Sequence, residues 1–548
     1  MVSSAQVLPS IILKLIIQLV ANKSSKPRGK RMWQREGAVE FLSVCSTWRQ
    51  AALEDLWGDL SLYIDPATNT ICINNPSWAK QFRLSNDTAS MVRKLRINMP
   101  WPSIVDGTAQ RLLTEFMGSI KVLPLARKIF ITLSRFPLKA PCTAGSAISS
   151  GTELVQFLKS MTPDSLTAAE IVFSGGSTYM DKFVEKAFGV IAKSLFSNTK
   201  YSKVDLDSLG VKYTATVEQI PQLSSLSLSN NDIKGLRPIL IHKCAATLLQ
   251  LSLGNFIPRA LIYDAKDNVV VYPNLRYLHM HTCVYNAYDE RIQTPSSVVP
   301  FLALNSLQLY LPYPFADDTL FRGNGSTLKD LRIVIDRDTA IMLSKSQEFD
   351  TNFKKLRTVA IVEAEDYDSP DTVGEFVLSK SLKSLINSAH ILKLTADSYV
   401  NSLVASYGHE FEHIKVLDLG LTQLTLFDTM RLLRALPNLV KLTCGIGKLG
   451  SELSHIPSKK LPDHMVTTYR AVGNQLYNLN TSLEKGISVI EAADFVMLLT
   501  LVCPRLRRVG SSHAPPPAYY ARITKALNRK PFSKYASQLR HLLDDAGQ

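Results

Sequence analysis

Leu223-Ser-Ser-Leu226-Ser-Leu228-Ser-Asn-Asn231 places leucine at the first, fourth and sixth positions and asparagine at the ninth. Residues two apart on a strand share a face, so Leu226 and Leu228 point the same way, and Leu223 starts the turn that leads in. The asparagine can bond backbone where the chain leaves the strand. The same spacing returns at Leu248/Leu251/Leu253, Leu275/Leu278/Met280 (ending at Cys283), Leu304/Leu307/Leu309, Leu328/Leu331/Ile333 and Leu356/Val359/Ile361. It continues at Ala389/Leu392/Leu394, Ile414/Leu417/Leu419 and Leu439/Leu442/Cys444. The middle residues stand at 226, 251, 278, 307, 331, 359, 392, 417 and 442, separated by 25, 27, 29, 24, 28, 33, 25 and 25 residues.

One such unit cannot bury its apolar face alone, so neighbours must stack into a continuous core. Each inward Leu or Ile contributes roughly 1.5–3 kcal/mol once covered, much of it offset by ordering the chain. Between the strands, Leu236–Cys244 and Leu424–Leu436 carry apolar residues at helical spacing. A strand plus a helix every 24 to 33 residues is similar to a leucine-rich-repeat horseshoe. The expected fold class is therefore an α/β solenoid, with parallel strands on the concave face and helices outside.

Looser units run upstream: Trp57/Leu60/Leu62, Val92/Leu95/Ile97, Ala126/Ile129/Ile131, Ala168/Ile171/Phe173 and Tyr201/Val204/Leu206. Their spacing stretches to 35, 34, 42, 33 and 22 residues, and Leu138–Gly151 reads as a connecting loop. Glu363–Pro370 reads as another, inside the longest step of the regular series. Downstream, 446–488 reads as an irregular insertion before a last unit at Pro504–Val509. Pro515-Pro-Pro517 then breaks the chain, and Tyr519–Leu543 reads as a helical cap. The expected organisation is a helical module at 1–58, a solenoid at 59–510 and a cap at 511–548. Within the solenoid, 59–215 is degenerate, 216–450 regular and 451–510 irregular.

Composition agrees with a folded chain. Of 548 residues, 46% are hydrophobic and 20% charged, which excludes extensive disorder. The longest aliphatic stretches, such as Val496–Leu499, fall far short of the ~20 residues that cross a bilayer. Met1–Val20 is a poor secretory signal, because no positive charge stands ahead of its apolar run and Pro9, Lys14 and Gln18 interrupt it. The seven cysteines, Cys45, Cys72, Cys142, Cys244, Cys283, Cys444 and Cys503, are scattered and read as reduced, mostly buried thiols. The expected location is cytoplasmic or nuclear, away from membranes. The net charge of +15 favours acidic partners.

Two N-terminal runs are too apolar for a solvated hairpin: Leu8–Val20, with proline in its first turn, and Phe41–Trp57. The order Leu8-Pro9, apolar helix Ile12–Val20, Leu42/Val44-Cys45/Trp48-Arg49 and closing Leu56-Trp57 resembles an F-box. An F-box followed by leucine repeats is the pattern of the F-box/leucine-rich-repeat proteins. The basic loop Ala21–Gly37, with Lys26-Pro-Arg-Gly-Lys-Arg31, is longer than the pattern calls for. The resemblance implies a non-enzymatic substrate receptor of a cullin–RING ubiquitin ligase. Leu8, Pro9, Ile12, Ile16, Leu42, Val44, Cys45 and Trp48 would then face the ligase adaptor subunit or shape that face. The repeats would hold a protein substrate. A repeat scaffold without a ligase role, and a basic solenoid that binds nucleic acid, are the alternatives.

Residues flanking the inward leucines would present Tyr277, His279, His281, Gln308, Tyr310, Arg332 and Lys393 as the substrate surface. Aromatic and arginine side chains are the usual anchors of protein interfaces. No P-loop, G-x-G-x-x-G or G-x-S-x-G occurs, and no catalytic residue or cofactor is expected. His409-Glu410-Phe411-Glu412-His413 fits the H-E-x-x-H zinc pattern, but the strand reading at Ile414–Leu419 leaves no helix to carry both histidines. A polar turn before a strand is the expectation there, and no metal site.

Overall fold

The computed structural model describes residues 50–73, 85–134, 144–174, 191–206, 222–228, 237–254, 261–281, 299–311, 326–335, 353–363, 386–394, 412–446, 475–483 and 499–511, apart from scattered positions within these spans. The F-box-like run up to Arg49, the Glu363–Pro370 loop beyond its first residue and the C-terminal cap lie outside the described residues. Of the second F-box segment, Ala51 and Trp57 are described, and both are buried.

The chain divides into two compact units, Met1–Phe256 with Ala260–Leu275, and Arg276–Gln548 with Ile257–Arg259. Each is built on a ladder of short strands, nearly all parallel. With the helices between its strands, each unit is a solenoid-like α/β stack.

In the first unit, strands β1 (Asp59–Asp65), β3 (Lys94–Pro100), β4 (Lys128–Ser134), β5 (Ala168–Ser174), β6 (Tyr201–Leu206), β7 (Ser225–Leu228) and β8 (Gln250–Leu253) pair in parallel. Strand β2 (Thr70–Ile73) folds back antiparallel on β1, a hairpin the repeat pattern gives no hint of. The upstream repeats differ from expectation in alignment. Ile129 pairs with Ala169 and Ile131 with Ile171, so the unit at Ala168/Ile171/Phe173 sits two residues out of step with those before it. A two-residue slip keeps the same side chains on the same face, and so leaves no mark in an alternating pattern. The position equivalent to Ile129 in β6 is Ser202, buried, whose hydroxyl donates to the Gln222 carbonyl at 3.2 Å.

Among the described residues, helices α1 (Asn86–Ala89), α2 (Trp101–Val105), α3 (Thr108–Met117) and α4 (Ala144–Met161) join the early strands of this unit. In α3, Ala109, Leu112, Leu113 and Met117 are buried, a spacing that turns one face to the core. It stops at Gly118, whose φ of 55° suits a residue without Cβ. Helix α4 corrects the reading of Leu138–Gly151 as a loop, since 144–151 are helical. Its Leu154, Val155, Leu158 and Met161 are buried, and packing of that face extends a helix through the small residues that precede it. A further helix, α5 (Arg237–Cys244), lies between β7 and β8.

The second unit is more regular. Strands β9 (Tyr277–His281), β10 (Ser306–Leu311), β11 (Asp330–Ile335), β12 (Thr358–Glu363), β13 (Ile391–Leu394), β14 (Val416–Leu424), β15 (Lys441–Ile446), β16 (Asn478–Leu483) and β17 (Arg508–Ser511) are all parallel. One column of partners runs Leu278, Leu307, Leu331, Val359, Leu392, Leu417, Leu442, Leu479 and Val509. Beneath it, Leu275, Leu304, Leu328, Leu356, Ala389, Ile414, Leu439, Leu476 and Leu506 are all buried. Strand β16 falls inside the stretch expected to be irregular. Its Leu476 and Leu479 keep the spacing, but Thr481 stands where a third apolar residue would mark the unit.

Strand β14 runs to Leu424, into the stretch that reads as helix. Its register shifts between Asp418 and Gln423, where Gly420 adopts φ 60° and donates its N–H to Asp418 Oδ1 at 3.2 Å. Helix α6 (Leu426–Ala435) then begins at Thr425, whose hydroxyl oxygen accepts from the Asp428 N–H at 3.1 Å.

Consecutive units are stitched at the turn that precedes each strand. Two successive N–H groups donate to one carbonyl of the preceding unit: Arg357 and Thr358 to Lys329 at 2.7 and 3.0 Å, then His390 and Ile391 to Arg357 at 3.0 and 2.9 Å. A carbonyl has two lone pairs, so it satisfies both donors. The same pair of bonds links Arg276, Asn305, Lys329, Arg357, His390, Lys415, Val440, Tyr477 and Arg507 in one unbroken row. In the first unit the corresponding positions include Arg93, Arg127, Thr167, Ser224 and Leu249.

Candidate binding surface

Because the second and fourth positions of these strands bury their side chains, the first, third and fifth positions lie on the opposite face of the second unit. On β9, Leu278 and Met280 are buried, while Tyr277 is 50% exposed and His279 and His281 stand beside it in the same register. Gln308 pairs laterally with His279 and with Arg332, and Tyr310 pairs with His281. Six of the seven expected surface residues therefore lie on three adjacent strands, which stand ~4.8 Å apart. Lys393 is separate. Ala360 of β12, buried and too short to reach out, lies between it and Arg332 in the same lateral row.

The His281 imidazole stacks on the Tyr310 ring, with centroids 4.0 Å apart and planes 14° from parallel. Such a stack presents one flat, rigid surface at little entropic cost. Partial burial holds the pKa of both histidines below its ordinary value, and for His279 the positive charges of His281 and Arg332 push the same way. The patch thus carries neutral imidazoles beside one fixed cation, Arg332, near neutral pH. Lys393 has its own counter-ion, with Nζ 4.0 Å from Asp418 Oδ2 on the next strand. Asp418 is absent from the sequence expectations, though its place between the inward Leu417 and Leu419 points to it.

The first unit pairs its solvent-face charges in the same way. Arg96 Nε donates to Asp59 Oδ1 at 2.9 Å and its guanidinium lies 4.8 Å from the Phe130 ring centroid. Lys203 Nζ donates to Glu170 Oε1 at 2.6 Å. Burial alone would lower the Lys203 pKa, but its hydrogen bond to Glu170 and the negative charge there outweigh that and hold it above its ordinary value.

The adaptor-facing positions inferred from the F-box resemblance, Leu8, Pro9, Ile12, Ile16, Leu42, Val44, Cys45 and Trp48, lie outside the described residues. Of the H-E-x-x-H stretch, Glu412 and His413 are described, and both sit in the turn before β14. His413 Nε2 donates to the Ile386 carbonyl at 3.1 Å, and His390 Nδ1 to the His413 carbonyl at 3.2 Å. These histidines tie one repeat to the next, as a polar turn would. Among the described residues, no group of three or more His, Cys, Asp or Glu side chains is placed to hold a metal. Burial pushes the thiols of Cys444 and Cys503 up to about 12, so neither is a ready nucleophile near neutral pH. No described helix is long and apolar enough to cross a membrane.

One recurrent device escaped the sequence reading although it is visible there. Pro273-Asn274-Leu275 and Pro437-Asn438-Leu439 lead into β9 and β15. Asn274 Nδ2 donates to the Ala246 carbonyl and Asn438 Nδ2 to the Glu412 carbonyl, both at 2.7 Å. In Pro504-Arg505-Leu506 the arginine takes that role, with Nη1 donating to Gln475 Oε1 at 2.7 Å. Neither a protein-family model nor a curated protein sequence matches the chain.

Proposed function

We propose that this protein is an F-box/leucine-rich-repeat substrate receptor of a cullin–RING ubiquitin ligase. The N-terminal module docks on the adaptor subunit, the repeats hold a protein, and catalysis belongs to the partner enzymes. Support at the N-terminus is the order of Leu8-Pro9, Leu42/Val44-Cys45/Trp48-Arg49 and Leu56-Trp57 ahead of a solenoid-like stack of leucine-bearing strands. The observation that carries the substrate half is the partly exposed patch of Tyr277, His279, His281, Gln308, Tyr310 and Arg332 on three neighbouring strands. Its aromatic rings and guanidinium are the anchor types that dominate binding energy at protein interfaces.

The decisive experiment separates the two halves. The double variant Leu8→Asp/Trp48→Ala should lose co-purification of the ligase adaptor while keeping the melting temperature of the repeats. Tyr277→Ala/Tyr310→Ala/Arg332→Ala should keep the adaptor and lose ubiquitylation of the bound protein. Unchanged adaptor recovery with the first variant overturns the receptor reading and leaves a repeat scaffold.

A further inference from the structure

We propose that the basic row along the turn edge of the second unit is a track for the phosphates of a single-stranded nucleic acid. The inference is independent of any ligase role. It starts from the hydrogen-bond row that joins equivalent residues from Arg276 to Arg507. Of its nine positions, Arg276, Lys329, Arg357, Lys415 and Arg507 are fixed cations, and no position is acidic. Lys329, Arg357, His390 and Lys415 stand in the turns just before four successive strands, whose backbones lie ~4.8 Å apart. Like charges this close on neighbouring strands repel.

The solvent face shows what this protein does with cations it neutralises internally. Arg96, Lys203 and Lys393 each have a carboxylate partner one strand away. Among the described residues, Arg276, Lys329, Arg357 and Lys415 have none, and all four are exposed. An external polyanion therefore meets an edge whose charge no described carboxylate pairs with.

Two features select nucleic acid over an acidic protein segment. Arginine's planar fork matches phosphate oxygens in pairs. Exposed aromatic rings also stand with the cations at both ends, Tyr277 directly after Arg276 and Tyr477 in the row itself beside Arg507. Bases of a single strand can stack on such rings, which a peptide carboxylate has no use for. The track is one residue wide, which suits one line of phosphates; a duplex offers two.

The test is fluorescence anisotropy with the full chain and a labelled oligothymidylate of about 12 nucleotides, within the usual size of single-strand sites, across a salt series. Lys329→Ala/Arg357→Ala/Lys415→Ala should weaken binding by about tenfold or more and flatten the slope of log K against log salt by about 2, from ~0.7 per lost phosphate contact. The control Arg431→Ala/Arg434→Ala, on the exposed side of α6, should leave both unchanged. Melting temperatures of both variants, all at exposed positions, should match the parent. The proposal is overturned if the parent chain does not bind, if the control weakens binding equally, if a duplex of the same length binds more tightly, or if poly-glutamate competes as well as unlabelled oligonucleotide.

Discussion

His279 and His281 show how single residues on a repeat surface acquire a pH response. Both lose hydration in the fold, and His279 also faces the charge of Arg332 on β11 and His281 on its own strand; Gln308 and Tyr310 of β10 are the other groups in register. Each cause disfavours the protonated ring, so the folded-state pKa lies below the unfolded one. As pH falls through the unfolded value of about 6.5, the unfolded chain takes up protons that the folded chain resists. Stability contributed by these neutral rings is therefore present above about pH 6.5 and lost below it. The melting temperature of the second unit should drop between about pH 7 and 5, and His279→Gln/His281→Gln should flatten that drop. An equal slope in the double variant would mean that the two rings titrate as they do in the unfolded chain.

At the scale of the element, the strands were legible and much between them was not. Leu-x-x-Leu-x-Leu states its own physics: two inward residues on a strand and one in the turn, repeated until a column forms. That is why β9 to β15 follow the sequence reading closely, and why α6 was anticipated from Leu424–Leu436 with a shift of two residues at its start. Strand β16 was missed because Thr481 breaks the pattern while backbone pairing to β15 preserves the strand. Helix α4 was missed where small residues carry no periodicity and only the buried face downstream commits them. The surface patch was legible through register alone, since alternation on β9 and β10 tells which side chains face out. The paired Asp418 and the turn-edge row were not, because lateral order across strands depends on hydrogen bonds between units. Two element-level predictions follow from the caps. Thr425→Ala removes the acceptor for the Asp428 N–H and should cost about 1 kcal/mol in denaturant unfolding. Asn438→Ala removes one donor from the Glu412 carbonyl and should cost about 0.5–1.5 kcal/mol by the same measurement. A shift in midpoint with no change in slope distinguishes these local losses from a change in compactness.

For the second unit as a whole, stability is carried by contacts between neighbours in one direction, because among the described residues each strand pairs with the one before and the one after. Stability in such a stack is close to a sum of unit terms and nearest-neighbour terms. Leu331 is 1% exposed and stands in the column between Leu307 and Val359, so Leu331→Ala removes buried methyl groups and leaves a cavity shared by three strands. The expected cost is about 2–5 kcal/mol. In a globular core that loss would lower protection everywhere. Here it should speed amide hydrogen exchange first in β10, β11 and β12 and leave β15 to β17, four and more strands away, close to the parent rates. Exchange measured strand by strand makes the comparison direct. Uniform acceleration from β9 to β17 would show that the unit opens in one step, and that the repeats are coupled more tightly than their pairwise ladder implies.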